Sequence, residues 1–543
     1  MILNMKKKFL FTLLLSLVTI AMMAVPARRG QWKMLKLQDG TEVRATLVGD
    51  EHGHFWKAEN GQAYMEQGDA YVAVDAQQII QRAKVRRAKV NAKRVQRRTF
   101  GHPTTILGQK KAIMILVNFK DKSFKTDHDN ALFNRIANEQ GFSEGNFKGS
   151  MADYFKAQSR GKFELDFDVV GPVTVSKEYS HYGEDDSQGN DKYAGEMVCE
   201  AVELAKNEVA DWIPYDWDND GYVDQVYVVF AGKGAADGGP ANAIWPHAYD
   251  LYSAEYYGDG TGPVTVGTNL KVNSYACGPE LEGTGNINGI GTMCHEFSHC
   301  LGYPDFYDTD YSGGQGMGNW DLMDSGSYNG DGYQPAGYSA HERWLMGWLI
   351  PIVLDETTTI TDMPALAEEG RAYLIRNDGC ENEYYIVENR QPMGWDAGLP
   401  SSGILVFHIE FDPSIWTSTK VAPNSSSRKR YELFHANNKT SAYQRADWPY
   451  PYQENNSLTN TSSPAATLNN ENSDGTKLMS KPITNMAVNN GLASFDFTVT
   501  TTGLCSQPSS LGLRPTVLYR FGPIDVVRTA DGKIQKVVRR PLD

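Results

Sequence analysis

The run His295-Glu296-Phe297-Ser298-His299 constrains this chain more than any other stretch of its 543 residues. Histidines four apart on a helix leave the same face one turn apart, so both imidazoles can grip one metal. Glu296 points beside that face, within reach of a water on that metal. Zinc bound by few protein ligands keeps an open position and lowers the pKa of its water towards neutrality. Glu296 is then the expected catalytic base, taking that proton and passing it to a leaving amine. Gly302 can adopt φ > 0, which stops the helix and turns the chain back. Asp305 then arrives with a carboxylate oxygen as third ligand beside His295 and His299.

The longer pattern, H-E-x-x-H-x-x-G-x-x-D, is similar to the metzincin signature, with Asp305 where most metzincins place a third histidine. Trp320-Asp321-Leu322-Met323-Asp324-Ser325-Gly326-Ser327-Tyr328 looks like the methionine turn of those enzymes, with Met323 as its methionine. Together with Tyr307-Asp308-Thr309-Asp310, these motifs resemble the immune inhibitor A-like family of secreted bacterial metallopeptidases. The likeness extends through Ser150-Met151-Ala152-Asp153-Tyr154-Phe155, Ser159-Arg160-Gly161-Lys162, Ile244-Trp245-Pro246-His247 and Glu388-Asn389-Arg390-Gln391. It implies a zinc endopeptidase acting on protein or peptide substrates, with His295, His299 and Asp305 as ligands and Glu296 as base. Tyr328 is a candidate donor to the oxyanion formed during attack, set against the plainer role of a packed tyrosine. His247 offers a similar choice between lining a cleft and packing structurally.

Lys6-Lys7-Lys8 precede an apolar run from Phe9 to Met23, with Ala24 and Ala27 as small residues at cleavage points, the pattern of an export signal. No later apolar stretch is long enough to cross a bilayer, so stable membrane insertion is not expected. Six cysteines, at 199, 277, 294, 300, 380 and 505, are too sparse for a disulfide scaffold. Cys294 and Cys300 face different ways on one helix and should not bridge, although either could pair with Cys277.

Charge is divided unevenly. The whole chain carries −14, yet residues 1–100 hold 18 Lys and Arg against 8 Asp and Glu. The remainder is therefore strongly acidic, which argues against a nucleic-acid partner and suits bound calcium. Asp216, Asp218, Asp220 and Asp224 stand at positions one, three, five and nine of a loop with Gly221 at six, a calcium-loop spacing. Tyr227 at position twelve replaces the bidentate glutamate of an EF-hand, so a structural ion or a metal-free acidic turn is expected rather than a sensor.

Residues 28–80 alternate with turn punctuation at Asp39-Gly40 and Asn60-Gly61, predicting a small antiparallel β unit. A basic helical segment follows through Arg98. Its charge suits either a solvated linker or a propeptide arm held on the acidic body. A cysteine switch is excluded because that arm has no cysteine, while His52, His54 or an acid between Gly49 and His54 could block the metal, set against the plainer reading of two surface histidines. Further on, Ala112–Val117 reads as a buried strand, Ser150 as the cap of a helix from Met151 to Gln158, and Phe163–Val169 as a strand. A helix is predicted over 193–209 and a strand over 270–277, and the resemblance to metzincins implies that the latter corresponds to the edge that accepts substrate. Beyond 351 the pattern is β-rich, with a long polar surface loop over 424–476 and a terminal hairpin around Asp531-Gly532.

The fold class read from these signals is α+β: a metzincin-like zinc peptidase domain between an N-terminal β-rich propeptide and a C-terminal β-rich domain. The expected divisions are 1–24 signal, 25–100 propeptide, 101–350 catalytic, 351–500 β-rich and 501–543 tail, the last a candidate export tag. The product would be exported or secreted, with cell-surface attachment and oligomeric state left open. Two other classes compete: a non-enzymatic surface or binding protein with a structural zinc, and a zinc hydrolase of non-peptide amides. Structural zinc is usually closed by four protein ligands, which weighs against the first.

Overall fold

The computed structural model describes residues 25–89, 106–186, 190–309, 316–412, 416, 424, 428–439 and 445–499, with three strands between 516 and 538. The expected export signal, most of the basic arm and the glycine-rich stretch 310–315 lie outside the described residues.

Five strands open the chain as an antiparallel meander: β1 (Trp32–Lys36), β2 (Glu42–Asp50), β3 (Gly53–Ala58), β4 (Ala63–Gln67) and β5 (Ala70–Val74). Its turns fall at Asp39-Gly40 and Asn60-Gly61, where the Asp39 and Asn60 side chains accept the amides of Thr41 and Gln62. Helix α1 (Ala76–Lys89) lays Ile79 and Ile80 against Phe55 and Ala63. Between β2 and β3 the hairpin tip is only two residues, Glu51-His52, closed by Asp50 opposite Gly53.

The central part follows as β6 (Gly108–Asn118), α2 (Asn130–Asn138), α3 (Met151–Ser159), β7 (Phe163–Thr174), α4 (Tyr179–Tyr182), α5 (Ala194–Ala205), β8 (Tyr222–Val223), β9 (Val226–Lys233), β10 (His247–Asp250), α6 (Leu251–Tyr256), β11 (Val264–Gly267), β12 (Leu270–Val272), β13 (Ser274–Leu281), α7 (Ile290–Ser298) and α8 (Ala340–Leu345). The main sheet has the order β10-β13-β9-β6-β7, parallel except for β10. The apolar run in β6 serves two layers, as a strand covered on both faces must. Ile113, Ile115 and Val117 meet Met197, Val198 and Ala201 of α5, whereas Met114 and Leu116 share a core with Tyr154, Phe155 and Phe297. Ser150 caps α3 as expected, its Oγ accepting Asp153 N while the Asp153 carboxylate accepts Ser150 N.

Two expectations need correction here. The helix expected over 193–209 ends at Ala205; Val209 still packs on the same core from the following turn, so its apolar spacing reported burial rather than helix. The strand expected over 270–277 is two strands in different sheets, because Asn273 is taken up by α6: its carbonyl accepts Leu251 N and its side chain accepts Tyr252 N. From Ser274 to Cys277, β13 is not an edge, since β10 pairs along it.

The C-terminal part adds β14 (Ile352–Val353), β15 (Thr358–Met363), α9 (Leu366–Glu369), β16 (Ala372–Asn377), β17 (Cys380–Arg390), β18 (Gly403–Glu410), β19 (Tyr431–Leu433), β20 (Ile483–Asn489) and β21 (Leu492–Phe497). They form two sheets, β14-β16-β17-β18-β19 and β15-β21-β20. The stretch expected to be a surface loop over 424–476 contains β19, which pairs with β18, and its irregular remainder is packed where described: Trp448, Tyr450, Leu458 and Ala466 are buried. Residues 499–543 make a separate unit in which β22 (Thr516–Phe521), β23 (Ile524–Arg528) and β24 (Ile534–Val538) pair antiparallel, β23 and β24 flanking Asp531-Gly532. Among the described cysteines all are free thiols, so Cys277 pairs with neither Cys294 nor Cys300. No described helix is long and apolar enough to cross a membrane.

A buried ionic cluster joins the C-terminal sheet to the segment leading into α8. Arg390 at the end of β17 holds Asp396 through two nitrogens, at 2.8 and 2.7 Å, and reaches Glu388 and the Gly337 carbonyl. The same acids accept the amides of Gly337 and Ala340. Removing the cation would strand two buried carboxylates, which is far costlier than losing a surface pair. Arg390→Ala is therefore expected to destabilise the protein by about 3 kcal/mol or more, read as a lower urea midpoint, with Arg390→Lys intermediate; an unchanged midpoint would remove this cluster from the account.

Candidate metal centre

Helix α7 is buried along its whole length, so what it carries must be satisfied inside the protein. His295 lies in its last turn, and His299 opens a single tighter turn that ends at Gly302, where φ is +103°. That conformation suits glycine and reverses the chain, bringing Asp305 back over the helix face. Asp305 Oδ1 lies 3.2 Å from His295 Nε2 and 3.6 Å from His299 Nε2. One ligand atom from each of the three lies within 4.8 Å of the other two.

The far side of each ring is fixed by backbone. His295 Nδ1 donates to the Leu322 carbonyl at 2.7 Å and His299 Nδ1 to the Tyr303 carbonyl at 2.8 Å. These bonds assign the proton to Nδ1 and leave the Nε2 lone pairs converging, as metal-binding histidines require. Burial lowers the His295 pKa to about 4, so its ring stays neutral and able to donate electrons. Two aimed imidazole nitrogens and a carboxylate suit zinc, with room left for a further ligand.

The floor of the site is the loop with Met323, which is fully buried. Asp321 Oδ1 accepts Met323 N, Asp324 Oδ2 accepts Gly318 N, and Phe306 N donates to the Met323 carbonyl. The loop after Asp305 and the loop bearing Leu322 are thus tied together beneath the ligands. Next to this floor, Asp321 and Glu342 form a buried acid pair; burial pushes both carboxyls up, with the Asp324 charge adding to it at Asp321 and the Asp321 charge at Glu342.

Glu296 is fully buried beside the three ligands. Burial first, and then the Asp305 charge, raises its pKa well above the ordinary value. One of its oxygens accepts the Val25 backbone nitrogen at 2.7 Å, and the other lies 3.9 Å from His299 Nε2. The N-terminal residues therefore lie directly against Glu296. The Val25 carbonyl accepts Trp245 Nε1 at 3.0 Å, and the Pro26 carbonyl accepts the Tyr328 hydroxyl at 2.9 Å. The Glu51-His52 hairpin tip is also buried here; Glu51 is close enough for its charge to raise the Glu296 pKa further, and Tyr307 Oη bonds Asp50 at 3.4 Å.

The other named residues sort themselves by position. Tyr328 faces the cleft and spends its hydroxyl on a peptide carbonyl. His247 is buried away from the opening, held by the Trp245 carbonyl and the Tyr275 hydroxyl, which fits the structural role. Asp216, Asp218 and Asp224 have carboxylate oxygens within 4.8 Å of one another, while Asp220 is not part of that group and accepts Tyr222 N. Asp216 also accepts the amides of Asp220 and Gly221, so backbone donors account for part of this turn. Val25 has no signal in sequence, because its contacts with Glu296 and Trp245 each span more than two hundred residues, while Trp245 has one only as part of the family-like run 244–247.

Residues 105–348 match the profile described as immune inhibitor A peptidase M6, catalytic domain. The chain is 28% identical over 278 residues to the pre-pro-metalloprotease PrtV of Vibrio cholerae serotype O1 (strain M66-2), covering 43% of this chain and 29% of that protein. It is 28% identical over 215 residues to immune inhibitor A of Bacillus thuringiensis subsp. alesti, covering 35% of this chain and 30% of that protein. The matched region thus spans less than a third of each relative's length.

Proposed function

We propose, from the premise that the chain belongs through residues 105–348 to the immune inhibitor A peptidase family, that it is a secreted zinc-dependent endopeptidase made as a latent precursor. The observation that carries this reading is the convergence of His295 Nε2, His299 Nε2 and Asp305 Oδ1 with Glu296 beside them. Zinc at that point supplies Lewis acidity, polarising a scissile carbonyl and acidifying water. Glu296 accepts the proton of the attacking water and hands it to the leaving nitrogen. Tyr328, freed from Pro26, has its hydroxyl aimed where a substrate carbonyl lies.

The division of the chain follows: 1–24 an export signal, 25–100 a propeptide, 101–350 a metzincin-like catalytic domain, 351–500 its β-rich support, and 501–543 a tail. Latency is supported by the cleft itself, in which Val25, Pro26 and the Glu51-His52 tip stand where substrate must enter. The name of one relative, a pre-pro-metalloprotease, accords with such a precursor. Calcium is assigned to Asp216, Asp218 and Asp224, with Asp220 shaping the turn through its bond to Tyr222 N.

Three outcomes are expected. Full-length protein nicked by trypsin in the basic arm should digest casein, and Glu296→Ala should lower that activity by about 10²–10⁴-fold; equal activity in both, or none in zinc-loaded wild type, would sink the endopeptidase reading and leave the structural-zinc or non-peptide alternatives. Turnover should rise when the arm is cut and the N-terminal part removed, so identical rates before and after would reject latency. Calcium chelation with zinc retained should lower the melting temperature, and less so in Asp216→Asn; a melting curve indifferent to calcium would leave that turn metal-free.

A further inference from the structure

Arg28 is seated in an acidic pocket that belongs to the central part of the chain. Its Nη1 lies 3.2 Å from Asp237 Oδ2 and 3.9 Å from Glu282 Oε2, and its Nη2 lies 2.5 Å from Asp331 Oδ1. The guanidinium also lies over the Tyr328 ring, 5.8 Å from its centroid. Beside the pocket the Arg28 backbone nitrogen donates to the Ala236 carbonyl at 3.0 Å, so main chain and side chain dock together.

Two of the acids, Glu282 and Asp237, are also held by backbone amides of the central part. Glu282 accepts the Thr284 hydroxyl and the amides of Thr284 and Asn286, and these bonds, joined by the Arg28 charge, draw its pKa down despite burial. Asp237 accepts Gly283 N at 2.8 Å. Their side chains are only 6% and 13% exposed, and the Glu282 charge works against ionisation of Asp237. A cation between them relieves that repulsion.

The path of residues 25–28 gives the pocket a place relative to the scissile bond. Glu296 passes its proton to the leaving nitrogen in the proposed reaction, and the nitrogen that lies against it here is that of Val25. Val25 therefore holds the first position on the leaving side, and Arg28 the fourth. We propose that Asp237, Glu282 and Asp331 form a specificity subsite for an arginine four residues beyond the cleaved bond. The inference rests on the peptidase reading. These acids remain when the N-terminal segment leaves, and their negative field attracts basic peptides. Arginine exceeds lysine because its planar fork sets Nη1 against Asp237 and Nη2 against Asp331 at once, whereas an ammonium offers all the acids a single nitrogen.

The test uses the full chain nicked in the basic arm, with trypsin then quenched by a serine-protease inhibitor. Quenched peptides share one sequence except at the fourth residue beyond the cleaved bond, which is Arg, Lys, Ala or Glu. The expected order of kcat/KM is Arg, Lys, Ala, Glu, with Arg over Glu by about tenfold or more, and with that ratio collapsing in Asp237→Asn and in Glu282→Gln. Equal kcat/KM for the Arg and Glu peptides in wild type would overturn the subsite and reduce the pocket to a clamp on Arg28. Fluorescence polarisation of the same peptides on the nicked Glu296→Ala protein separates this from the parent reading. Tighter binding of the Arg peptide without any cleavage by wild type would sustain the pocket while the peptidase reading fell; indifferent binding would overturn the pocket even where casein is digested.

Discussion

Everything at the centre depends on two hydrogen bonds that face away from it. The Leu322 and Tyr303 carbonyls each take the Nδ1 proton of a histidine, and this single choice of tautomer turns two neutral rings into convergent donors. An imidazole with the opposite tautomer would present an N–H to the cation. The carbonyls come from loops rather than from α7, so the helix spacing is useful only because those loops are themselves held. Asp321, the Phe306–Met323 bond and the buried position of Met323 do that holding.

A second dependence runs outward from this floor. Ser339 caps α8 with Glu342 in a reciprocal pair, and Tyr431 from β19 donates to the Ser339 hydroxyl at 2.7 Å. Tyr303, whose carbonyl orients His299, donates its own hydroxyl to the Glu342 carbonyl. The centre, its floor, α8 and the C-terminal sheet thus form one continuous hydrogen-bonded body. Because nearly all of these groups are buried, each leaves a desolvated partner behind if removed.

What could be read from sequence was what a short stretch settles by itself. The histidine spacing, the Gly302 reversal, the Ser150 cap, the two-layer run in β6 and the Asp39 and Asn60 turns all depend on neighbours within a few residues, and all appear where expected. What failed depended on distant partners. β10 covers β13 through contacts that span about thirty residues, and nothing within 270–277 announces that Asn273 is committed to α6. The polar stretch after 424 misled because its few apolar side chains, Trp448 and Leu458 among them, bury fully without any periodic pattern. The placing of Val25 at Glu296 is the extreme case, since 271 residues separate them.

The Arg390 cluster bears on where this protein can be divided. The family likeness stops at residue 348, yet the amides of Gly337 and Ala340 find their acceptors on Asp396 and Glu388, and Trp395 packs edge-on against Tyr154 of α3. A fragment ending at the homology boundary would keep every ligand and still expose orphaned donors and bared aromatic surface around the helices that carry them. The recognisable domain and the cooperative folding unit are consequently different objects. The span of a family match need not mark the smallest piece that can be secreted, refolded or grafted elsewhere.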